Sequence, residues 1–446
     1  MLVARIGYYK GLIVSDAYAA NMKYDEKMKK YIAMGYKYAE ITRYFAESGI
    51  EVKDEVINPL PLPQINDKIK LHPYQRKALN SWLISKRGII VMPTGSGKTL
   101  LGLKTISILK VPTIIIVPTI DLLDQWHASI IKNLGVNAGI LGGGSEDIQG
   151  ITVSTYDSAY SRLEVIGNRF MYIIFDEVHH LPSQGYMEIA QLMPAPYRLG
   201  LTATPEREDG RDRLLPNLVG PIVYRISPAD LSGKYLAEYK IKRIYVSLKE
   251  DEEKKYKALR AKMNENLKKI GIELNSLQDF KRLIYLASKN RAAREALHAW
   301  YESSAIAINS QSKIEKLKEL IERFKEEKVI IFTRDTHAVY KISKLFLIPA
   351  VTYKTPKDER REIIEKFRKG KYKVIVASNV FDEGVDIPDA SVAIIVGGYG
   401  TRRQFIQRLG RILRMKDGKK AELIELVTRN TSDYRLSQRR RSNVIL

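Results

Sequence analysis

One short glycine-rich segment, residues 92–99 (MPTGSGKT), constrains the fold of this chain more than any other. An apolar run precedes it at 89–91, and a helical pattern follows it at 100–109. A strand, a tight turn and a helix N-terminus in this order form a cradle for phosphate, because backbone N–H groups and the positive end of the helix dipole face the same anion. Gly95 and Gly97 permit the sharp turn because they lack a Cβ. The pattern therefore predicts a nucleotide-binding loop.

Two side chains of this loop suit the chemistry of a nucleoside triphosphate. Lys98 supplies a positive charge for the β- and γ-phosphates, and Thr99 supplies a hydroxyl ligand for Mg²⁺. The first position of the motif holds Met92, where the general pattern has glycine. The residues that we expect to bind ATP in this loop are Pro93, Thr94, Gly95, Ser96, Gly97, Lys98 and Thr99.

A second segment carries two adjacent carboxylates. The apolar run 172–175 ends in Asp176 and Glu177. The carboxyl end of a strand is where a parallel sheet binds its ligands, so Asp176 is a candidate ligand of Mg²⁺. Glu177 is a candidate for orienting or deprotonating the attacking water. An isolated Asp-Glu pair is usually a solvated strand end, but its position after a phosphate-binding loop favours the catalytic interpretation.

Charge and composition limit the class of partner. The 446 residues are 45% hydrophobic and carry a formal net charge of +23, which indicates a polyanionic partner. Charge alone does not distinguish nucleic acid from a membrane surface. No apolar run approaches the roughly 20 residues of a spanning helix, and no signal peptide is recognisable. We therefore expect no membrane association and a cytoplasmic location, associated with the nucleoid in a prokaryote or nuclear in a eukaryote. The absence of cysteine excludes disulfides and cysteine-ligated zinc.

Four segments differ in pattern along the chain. Residues 1–65 mix short apolar runs with basic and tyrosine-rich stretches, and end in a proline cluster typical of a linker. Residues 66–225 alternate five apolar runs with helical patterns, which predicts a parallel sheet with strands at 89–91, 114–117, 151–154, 172–175 and 199–201. In 226–310 a short strand-like run precedes two apolar stripes of helical spacing, which indicate a hairpin of two helices. The alternation returns over 311–446. We therefore expect an α/β chain with two parallel-sheet domains, a small helical module and a short N-terminal domain. The second stripe consists of Leu277, Phe280, Ile284 and Ala287.

A helical pattern near the C-terminus, residues 404–414, carries one polar stripe. Gln407, Arg411 and Arg414 follow one another at spacings of four and three and share one helix face. Such a stripe is often only solvated, or binds nucleic acid diffusely. Here we interpret the three side chains as catalytic, with Arg411 and Arg414 neutralising the charge on the γ-phosphate in the transition state.

The ordered motifs resemble those of superfamily 2 helicases, and most closely those of the archaeal XPB helicases. They lie, in chain order, at 71–75, 92–99, 117–119, 154–156, 176–179, 201–204, 330–334, 377–386 and 407–414. The resemblance implies two RecA-like domains with ATP and Mg²⁺ bound between them. The narrower assignment uses Arg207, Glu208 and Asp209, which resemble the family's Arg-Glu-Asp element for opening duplex DNA. Residues 1–65 resemble a reduced damage-recognition domain only loosely.

The resemblance also implies roles for further side chains. Gln75 is expected to read adenine, and Asp386 to approach the ribose. Thr202 and Thr204 lie at the end of the strand beside the Asp176 strand, a place suited to coupling hydrolysis to DNA binding. The residues expected to contact DNA are Thr119, Thr155, Arg207, Glu208, Asp209, Thr333 and Arg334.

The implied function is an ATP-dependent DNA helicase or duplex translocase that moves 3'-to-5' and acts in nucleotide excision repair or in processes related to transcription. The compact length resembles the archaeal form, for which a nuclease partner is implied. Two alternatives stay open at this point. The first alternative is an RNA helicase of the DExH type. The second is a scaffold that binds nucleotide and DNA for a nuclease partner without hydrolysing ATP.

Overall fold

The computed structural model describes residues 3–207, 209–235, 238–333, 336–378, 390–397 and 420–441. The chain forms two compact units, which divide between Leu231 and Ser232. The domain boundaries expected at 65, 225 and 310 stay predictions. Within the described ranges, no helix combines the length and the apolar character needed to cross a membrane.

The first unit begins with a small mixed domain. Four strands are joined by antiparallel pairing in the order β3-β4-β2-β1, and β5 adds to β1 in parallel. Helix α1 buries Ile41 and Phe45 against this sheet, which explains the apolar spacing of its sequence. The elements are β1 Val3–Tyr9, β2 Leu12–Ser15, β3 Lys23–Asp25, β4 Lys30–Met34, α1 Tyr38–Glu47 and β5 Glu51–Glu55.

This N-terminal domain is packed against the following parallel-sheet domain of the same unit. A Cβ placed on Gly35 would lie 2.2 Å from the backbone oxygen of Leu192. The two backbone segments therefore approach so closely that only glycine fits at position 35. The proline-rich segment between the domains is also bonded to this surface. The N–H of Asn58 donates to the backbone oxygen of Asn168 at 2.9 Å. The expected linker is therefore laid along the protein rather than free.

Eight strands form the first large sheet, in the order β13-β6-β12-β11-β7-β10-β8-β9. All pairs are parallel except β8 with β9, which confirms the predicted parallel sheet. The five expected strands occupy its centre, where both faces are buried and continuous apolar runs result. The three strands at the edges, β8, β9 and β13, were not predicted, because they are short or partly exposed. The strands are β6 Arg87–Val91, β7 Thr113–Val117, β8 Gly139–Gly142, β9 Ser145–Glu146, β10 Ile151–Thr155, β11 Tyr172–Asp176, β12 Tyr197–Thr202 and β13 Ile222–Arg225.

Helices join these strands, and two of them begin at a threonine whose hydroxyl caps the helix. The hydroxyl of Thr119 accepts a hydrogen bond from Leu122 N at the start of α4, and that of Thr155 accepts one from Ser158 N at the start of α5. Helix α4 ends at Gly135, which has a left-handed φ of +65°. The helices are α2 Pro73–Leu83, α3 Lys98–Leu109, α4 Ile120–Leu134, α5 Tyr156–Ser161, α6 Leu163–Ile166, α7 Tyr186–Leu192, α8 Leu215–Leu218 and α9 Pro228–Leu231.

The second unit contains a six-stranded sheet in the order β14-β19-β18-β15-β17-β16, with every pair parallel. The strand-like run expected near 241–248 is β14, and it belongs to this second sheet through pairing with β19. The strands are β14 Glu238–Val246, β15 Val329–Phe332, β16 Ala350–Val351, β17 Val374–Ala377, β18 Val392–Ile395 and β19 Lys420–Thr428.

The helical module within this unit has three helices where the periodicity predicted two. Helix α11 buries Leu283 completely and leaves Ile284 45% exposed, so the expected apolar stripe was wrong at Ile284, whereas its last member, Ala287, is buried as expected. Helix α12 packs against both α10 and α11. Its buried face is built largely from alanines, which give little hydrophobic periodicity and were therefore missed. The module consists of α10 Glu250–Lys269, α11 Leu277–Ala287 and α12 Arg291–Ile308.

A buried ion pair connects two of the remaining helices of the second unit, α13 and α16, to its sheet. Lys313 Nζ donates to Asp433 Oδ2 at 2.7 Å and to the backbone oxygen of Val396 at 2.6 Å. The same carboxylate accepts from Thr428 N at 3.0 Å. The pair therefore joins the start of α13 to the start of α16. These helices are α13 Gln311–Arg323, α14 Thr336–Phe346, α15 Lys357–Arg368 and α16 Ser432–Arg441.

Candidate ATP site of the first unit

The glycine-rich loop joins β6 to α3 in the first large sheet. Gly95 and Gly97 have φ values of +83° and +79°, which side chains rarely adopt, so the loop needs glycine at both positions. Met92 is fully buried, and its N–H donates to the backbone oxygen of Thr202 at 3.0 Å. The apolar residue at the head of the motif is thus part of the core rather than of the cradle.

Helix α2 supports the loop from one side. Tyr74 OH and Gln75 Nε2 both donate to the backbone oxygen of Ser96, at 2.8 and 2.9 Å. Gln75 Oε1 accepts from His72 N at 2.8 Å, which makes Gln75 part of the helix cap as well. Both polar groups of Gln75 are therefore engaged within the protein. Adenine recognition by Gln75 stays a prediction.

The loop has the groups that a triphosphate would need. Lys98 Nζ lies 3.2 Å from the backbone oxygen of Met92 and 3.4 Å from that of Pro93, so its charge is held against the backbone of the loop. The buried hydroxyl of Thr94 has no hydrogen-bond partner among the described residues. An unpaired buried hydroxyl is costly unless a ligand completes it. These features fit the phosphates of a nucleotide.

Asp176 ends β11 and is only 5% exposed. Its Oδ2 accepts from Trp126 Nε1 at 2.8 Å, and its Oδ1 accepts from Glu177 N at 3.0 Å. Burial, reinforced by the neighbouring Glu177 carboxylate, raises the pKa of Asp176 to about 6, although the Trp126 hydrogen bond and the charge of Lys98 oppose the rise. A buried carboxylate with a raised pKa gains from a nearby cation. Asp176 therefore fits a Mg²⁺ ligand, with Thr99 as the hydroxyl ligand at the start of α3.

Glu177 has an unusual backbone for a residue with a side chain. Its φ and ψ are +47° and +54°, in the left-handed region, where strain marks functional sites. Its Oε2 lies 3.4 Å from Nδ1 of the buried His179 and 3.3 Å from Thr202 Oγ1. The conformation turns the carboxylate away from the strand and toward the end of β12.

The end of β12 links this carboxylate to the Arg-Glu-Asp element. Thr202 Oγ1 lies 3.1 Å from His179 Nδ1 and accepts from Thr204 N at 3.1 Å. Arg207 Nη1 donates to the backbone oxygen of His179 at 2.5 Å. The guanidinium of Arg207 also makes a two-bond ion pair with Asp209, which holds the pKa of that carboxyl well below its usual range. The structure thus brings Thr202, Thr204, Arg207 and Asp209 together beside the carboxylates of Asp176 and Glu177.

The predicted DNA contacts are distributed over both units. Thr119 and Thr155 cap helices of the first unit. Thr155 is buried, and its Oγ1 donates to Ser158 Oγ at 2.9 Å. Thr333 follows β15 in the second unit and is also buried. Direct hydroxyl contacts to phosphate stay predictions, and the amides at the starts of α4 and α5 offer a second kind of phosphate donor.

Six candidate residues lie outside the described residues. They are Glu208, Arg334, Asp386, Gln407, Arg411 and Arg414. Their predicted roles in opening duplex DNA, contacting DNA, approaching the ribose and neutralising the γ-phosphate stay predictions.

Three side chains with direct bonds to the site escaped the sequence analysis: Tyr74, Trp126 and Tyr156. Tyr74 lies within the motif at 71–75, in which only Gln75 was assigned a role. Trp126 lies on the buried face of α4, two turns after its cap, which is a position that periodicity assigns to the core. Tyr156 follows Thr155 directly. No local signal distinguishes an aromatic residue that only fills the core from one whose polar atom bonds to a residue of the candidate site.

Three family descriptions match separate parts of the chain. Residues 68–207 match "Type III restriction enzyme, res subunit", and residues 312–416 match "Helicase conserved C-terminal domain". Residues 6–56 match "Xeroderma pigmentosum group B helicase damage recognition domain". The last match falls on the N-terminal domain, whose resemblance to this family looked loose in the sequence.

Two similar proteins and one solved structure agree with these matches. The chain is 61% identical to the DNA 3'-5' translocase XPB2 of Sulfurisphaera tokodaii, over 97% of this chain and 99% of that protein. It is 27% identical to the DNA 3'-5' helicase XPB of Mycobacterium tuberculosis, over 85% of this chain and 64% of that protein. The crystal structure of the Pyrococcus furiosus Hef helicase domain shares the fold, with a TM-score of 0.58 and 19% identity, over 82% of this chain and 97% of that one. The chain belongs to the XPB family of superfamily 2 helicases.

Proposed function

We propose that this chain is an ATP hydrolase that moves along duplex DNA in the 3'-to-5' direction. One observation carries the proposal. Strand β12, which ends in Thr202, is hydrogen-bonded on one side to β6 of the phosphate-binding loop and on the other to β11 of Asp176. A movement of either neighbour therefore reaches the Thr202 segment directly. The names of the similar proteins supply the choice of DNA and the polarity.

The described residues divide the chemistry of hydrolysis among them. Lys98 binds and neutralises the phosphates at the start of α3. Thr99 and Asp176 would hold Mg²⁺, which supplies charge neutralisation between the β- and γ-phosphates when bound. Glu177 orients the attacking water or takes its proton. Its left-handed backbone and its neighbours Thr202 and His179 hold the carboxylate in place for that step.

DNA binding is coupled to this site through the segment after β12. Arg207 bonds to the His179 backbone, and His179 in turn contacts Thr202 and Glu177. A nucleic-acid strand that shifts the Arg207–Asp209 pair would change the support of the Glu177 carboxylate. Family resemblance alone supports three further parts of the proposal. They are a nuclease partner, a role in repair or transcription, and translocation rather than strand separation.

The test is ATP turnover measured without nucleic acid and with single-stranded DNA, duplex DNA, forked DNA and RNA at fixed salt. We expect stimulation by DNA and not by RNA, with turnover abolished in Lys98→Ala. Glu177→Gln should retain nucleotide binding and lose turnover. Stimulation by RNA alone would favour the RNA helicase. Binding of nucleotide and DNA by the wild-type protein, without turnover on any substrate, would favour the scaffold.

A second assay separates movement from strand separation. Displacement of a third strand from duplex DNA reports translocation, whereas displacement of one strand of a forked duplex reports unwinding. We expect third-strand displacement, and we expect it to depend on ATP and on Lys98.

A further inference from the structure

Two aromatic side chains donate hydrogen bonds to Asp176, one to its carboxylate and one to its backbone oxygen. Trp126 Nε1 donates to the carboxylate oxygen Oδ2 at 2.8 Å, and Tyr156 OH donates to the backbone oxygen at 3.2 Å. Both side chains are buried, so water does not compete for either bond. Because Glu177 N holds the other carboxylate oxygen, these contacts set both the plane of the carboxylate and the position of the strand end.

Each of these side chains belongs to a helix that begins at a candidate DNA contact. Thr119 caps α4, and Trp126 lies two turns further along that helix. Thr155 caps α5, and Tyr156 is the first residue of that helix. Each helix thus has an expected DNA contact, Thr119 or Thr155, at its start, and an aromatic side chain that is hydrogen-bonded to Asp176. Two separate helices therefore connect an expected DNA contact to the same aspartate.

Both rings are fully buried and packed against neighbouring elements. A Cβ on Gly102 of α3 would lie 2.7 Å from Trp126 Cη2, which shows how closely the indole packs on that helix. The ring of Tyr156 lies 5.1 Å from that of Tyr186 and 6.5 Å from that of Phe175, measured between centroids. In a close-packed interior such side chains transmit displacement rather than absorb it. A shift of α4 or α5 would thus change the Asp176 geometry.

We propose that Trp126 and Tyr156 are positioning residues that transmit DNA binding at Thr119 and Thr155 to Asp176, Trp126 through its carboxylate and Tyr156 through its backbone oxygen. This inference rests on the proposed function, because it assumes DNA-stimulated hydrolysis with Asp176 as a Mg²⁺ ligand. It adds a physical route within the first unit, separate from the route through Thr202 and His179. Hydrogen bonds to a metal-ligating carboxylate hold it in its binding orientation, which is why their loss weakens metal binding as well as activity.

The chain offers matched controls for both positions. Trp126→Phe removes the indole N–H that donates to Asp176. Trp82→Phe is its control, because it removes an equally buried indole N–H that donates to the backbone oxygen of Arg198 at 3.0 Å. Tyr156→Phe removes a buried hydroxyl from Asp176. Tyr172→Phe removes a buried hydroxyl that lies 2.7 Å from Thr105 Oγ1. Tyr172 is the first residue of β11, at the opposite end of that strand from Asp176. Thermal unfolding of all four variants shows whether each protein is folded at the assay temperature.

Three quantities are measured for each variant: ATP turnover with and without duplex DNA, DNA affinity without nucleotide, and the Mg²⁺ requirement for binding a non-hydrolysable ATP analogue. We expect Trp126→Phe to raise the Mg²⁺ concentration at half-saturation about tenfold, and both Asp176-linked variants to lower DNA-stimulated turnover about tenfold. DNA affinity without nucleotide should stay as in wild type. The controls Trp82→Phe and Tyr172→Phe should retain the wild-type stimulation ratio and Mg²⁺ requirement.

The double variant Trp126→Phe/Tyr156→Phe tests whether both routes act on one group. Its loss of stimulation should be smaller than the product of the single losses, because both act through Asp176. If Trp126→Phe and Tyr156→Phe match their controls while wild type is stimulated by DNA, the inference is overturned and the proposed function stands. A wild-type protein without DNA stimulation would overturn the proposed function and this coupling together. In that case, the Mg²⁺ titration still decides whether Trp126 positions Asp176.

Discussion

At the scale of single residues, Asp176 combines burial with a carboxylate neighbour. The raised pKa of Asp176 means that the protein without ligand resists placing two negative charges at the end of β11. Lys98 offsets this only in part, because its amino group is directed to the backbone oxygens of the loop. Such a site is prepared for a cation and gains more from Mg²⁺ than a solvated carboxylate would.

This leads to a prediction about pH. Because Asp176 must lose its proton to bind Mg²⁺, and its pKa in the free protein is about 6, Mg²⁺-dependent nucleotide affinity should fall by up to tenfold per pH unit below pH 6. Binding is measured by titrating a fluorescent non-hydrolysable ATP analogue between pH 5 and 8. In Asp176→Asn, any remaining dependence reports titration of the nucleotide itself. A wild-type profile identical to that of Asp176→Asn would contradict the prediction.

The ion pair of Lys313 and Asp433 is the clearest stability determinant among the described residues of the second unit. Lys313→Met would leave Asp433 buried without its cation, a loss of about 3–5 kcal/mol in the free energy of unfolding. The change is measured by urea denaturation of the second unit's transition in the full chain. Lys316→Met is the control, because it removes a solvent-exposed partner of Glu319 on the same helix and should change stability little. Equal effects of the two substitutions would contradict the interpretation.

At the scale of secondary-structure elements, prediction succeeded where one strong local signal was present. The central strands have continuous apolar runs because both of their faces are buried, and such runs can be read directly. Helix α12 was not predicted because its buried face is made largely of alanine. The buried face of α11 was predicted wrongly at one residue, because Leu283 and Ile284 are equally apolar. Which of two adjacent apolar residues is buried depends on the neighbouring helix, not on the segment itself.

The contact between the N-terminal domain and the first large sheet depends on one close approach. Gly35→Val would place side-chain atoms against the Leu192 backbone, which cannot yield as a flexible side chain would. We expect faster hydrogen exchange in the amides of 30–37 and 192–193, and faster proteolysis of the 56–66 segment. Gly7→Ala is the control, since its Cβ would make only an ordinary 3.8 Å contact with Val14. Unchanged exchange in Gly35→Val would show that the contact is not needed for docking.

At the scale of the whole molecule, the net charge of +23 governs how tightly and how selectively DNA is held. Contacts from lysine, arginine and backbone amides bind phosphate without reading bases. We therefore expect affinity that is insensitive to sequence and sensitive to salt.

The corresponding prediction concerns ionic strength. The logarithm of the DNA association constant should fall linearly with the logarithm of salt concentration, with a slope of about −5 to −10 if roughly six to ten phosphates are contacted. Fluorescence anisotropy with two unrelated duplex sequences measures the slope, and the two sequences should give the same value. Lys98→Ala is the control, because a lysine that contacts nucleotide rather than DNA should leave the slope unchanged. A slope near zero would remove the electrostatic argument for DNA binding.

The sequence by itself determined the two α/β domains, the phosphate loop with Lys98 and Thr99, and the carboxylates of Asp176 and Glu177. Each of these depends on residues adjacent in the chain, so a short window contains the whole signal. Only the tertiary structure decided that Trp126 and Tyr156 reach Asp176, that Arg207 bonds to His179, and that Gly35 meets Leu192. Those contacts join segments far apart in the chain. Their geometry is set by how helices pack on the sheet, which no local pattern of residues specifies.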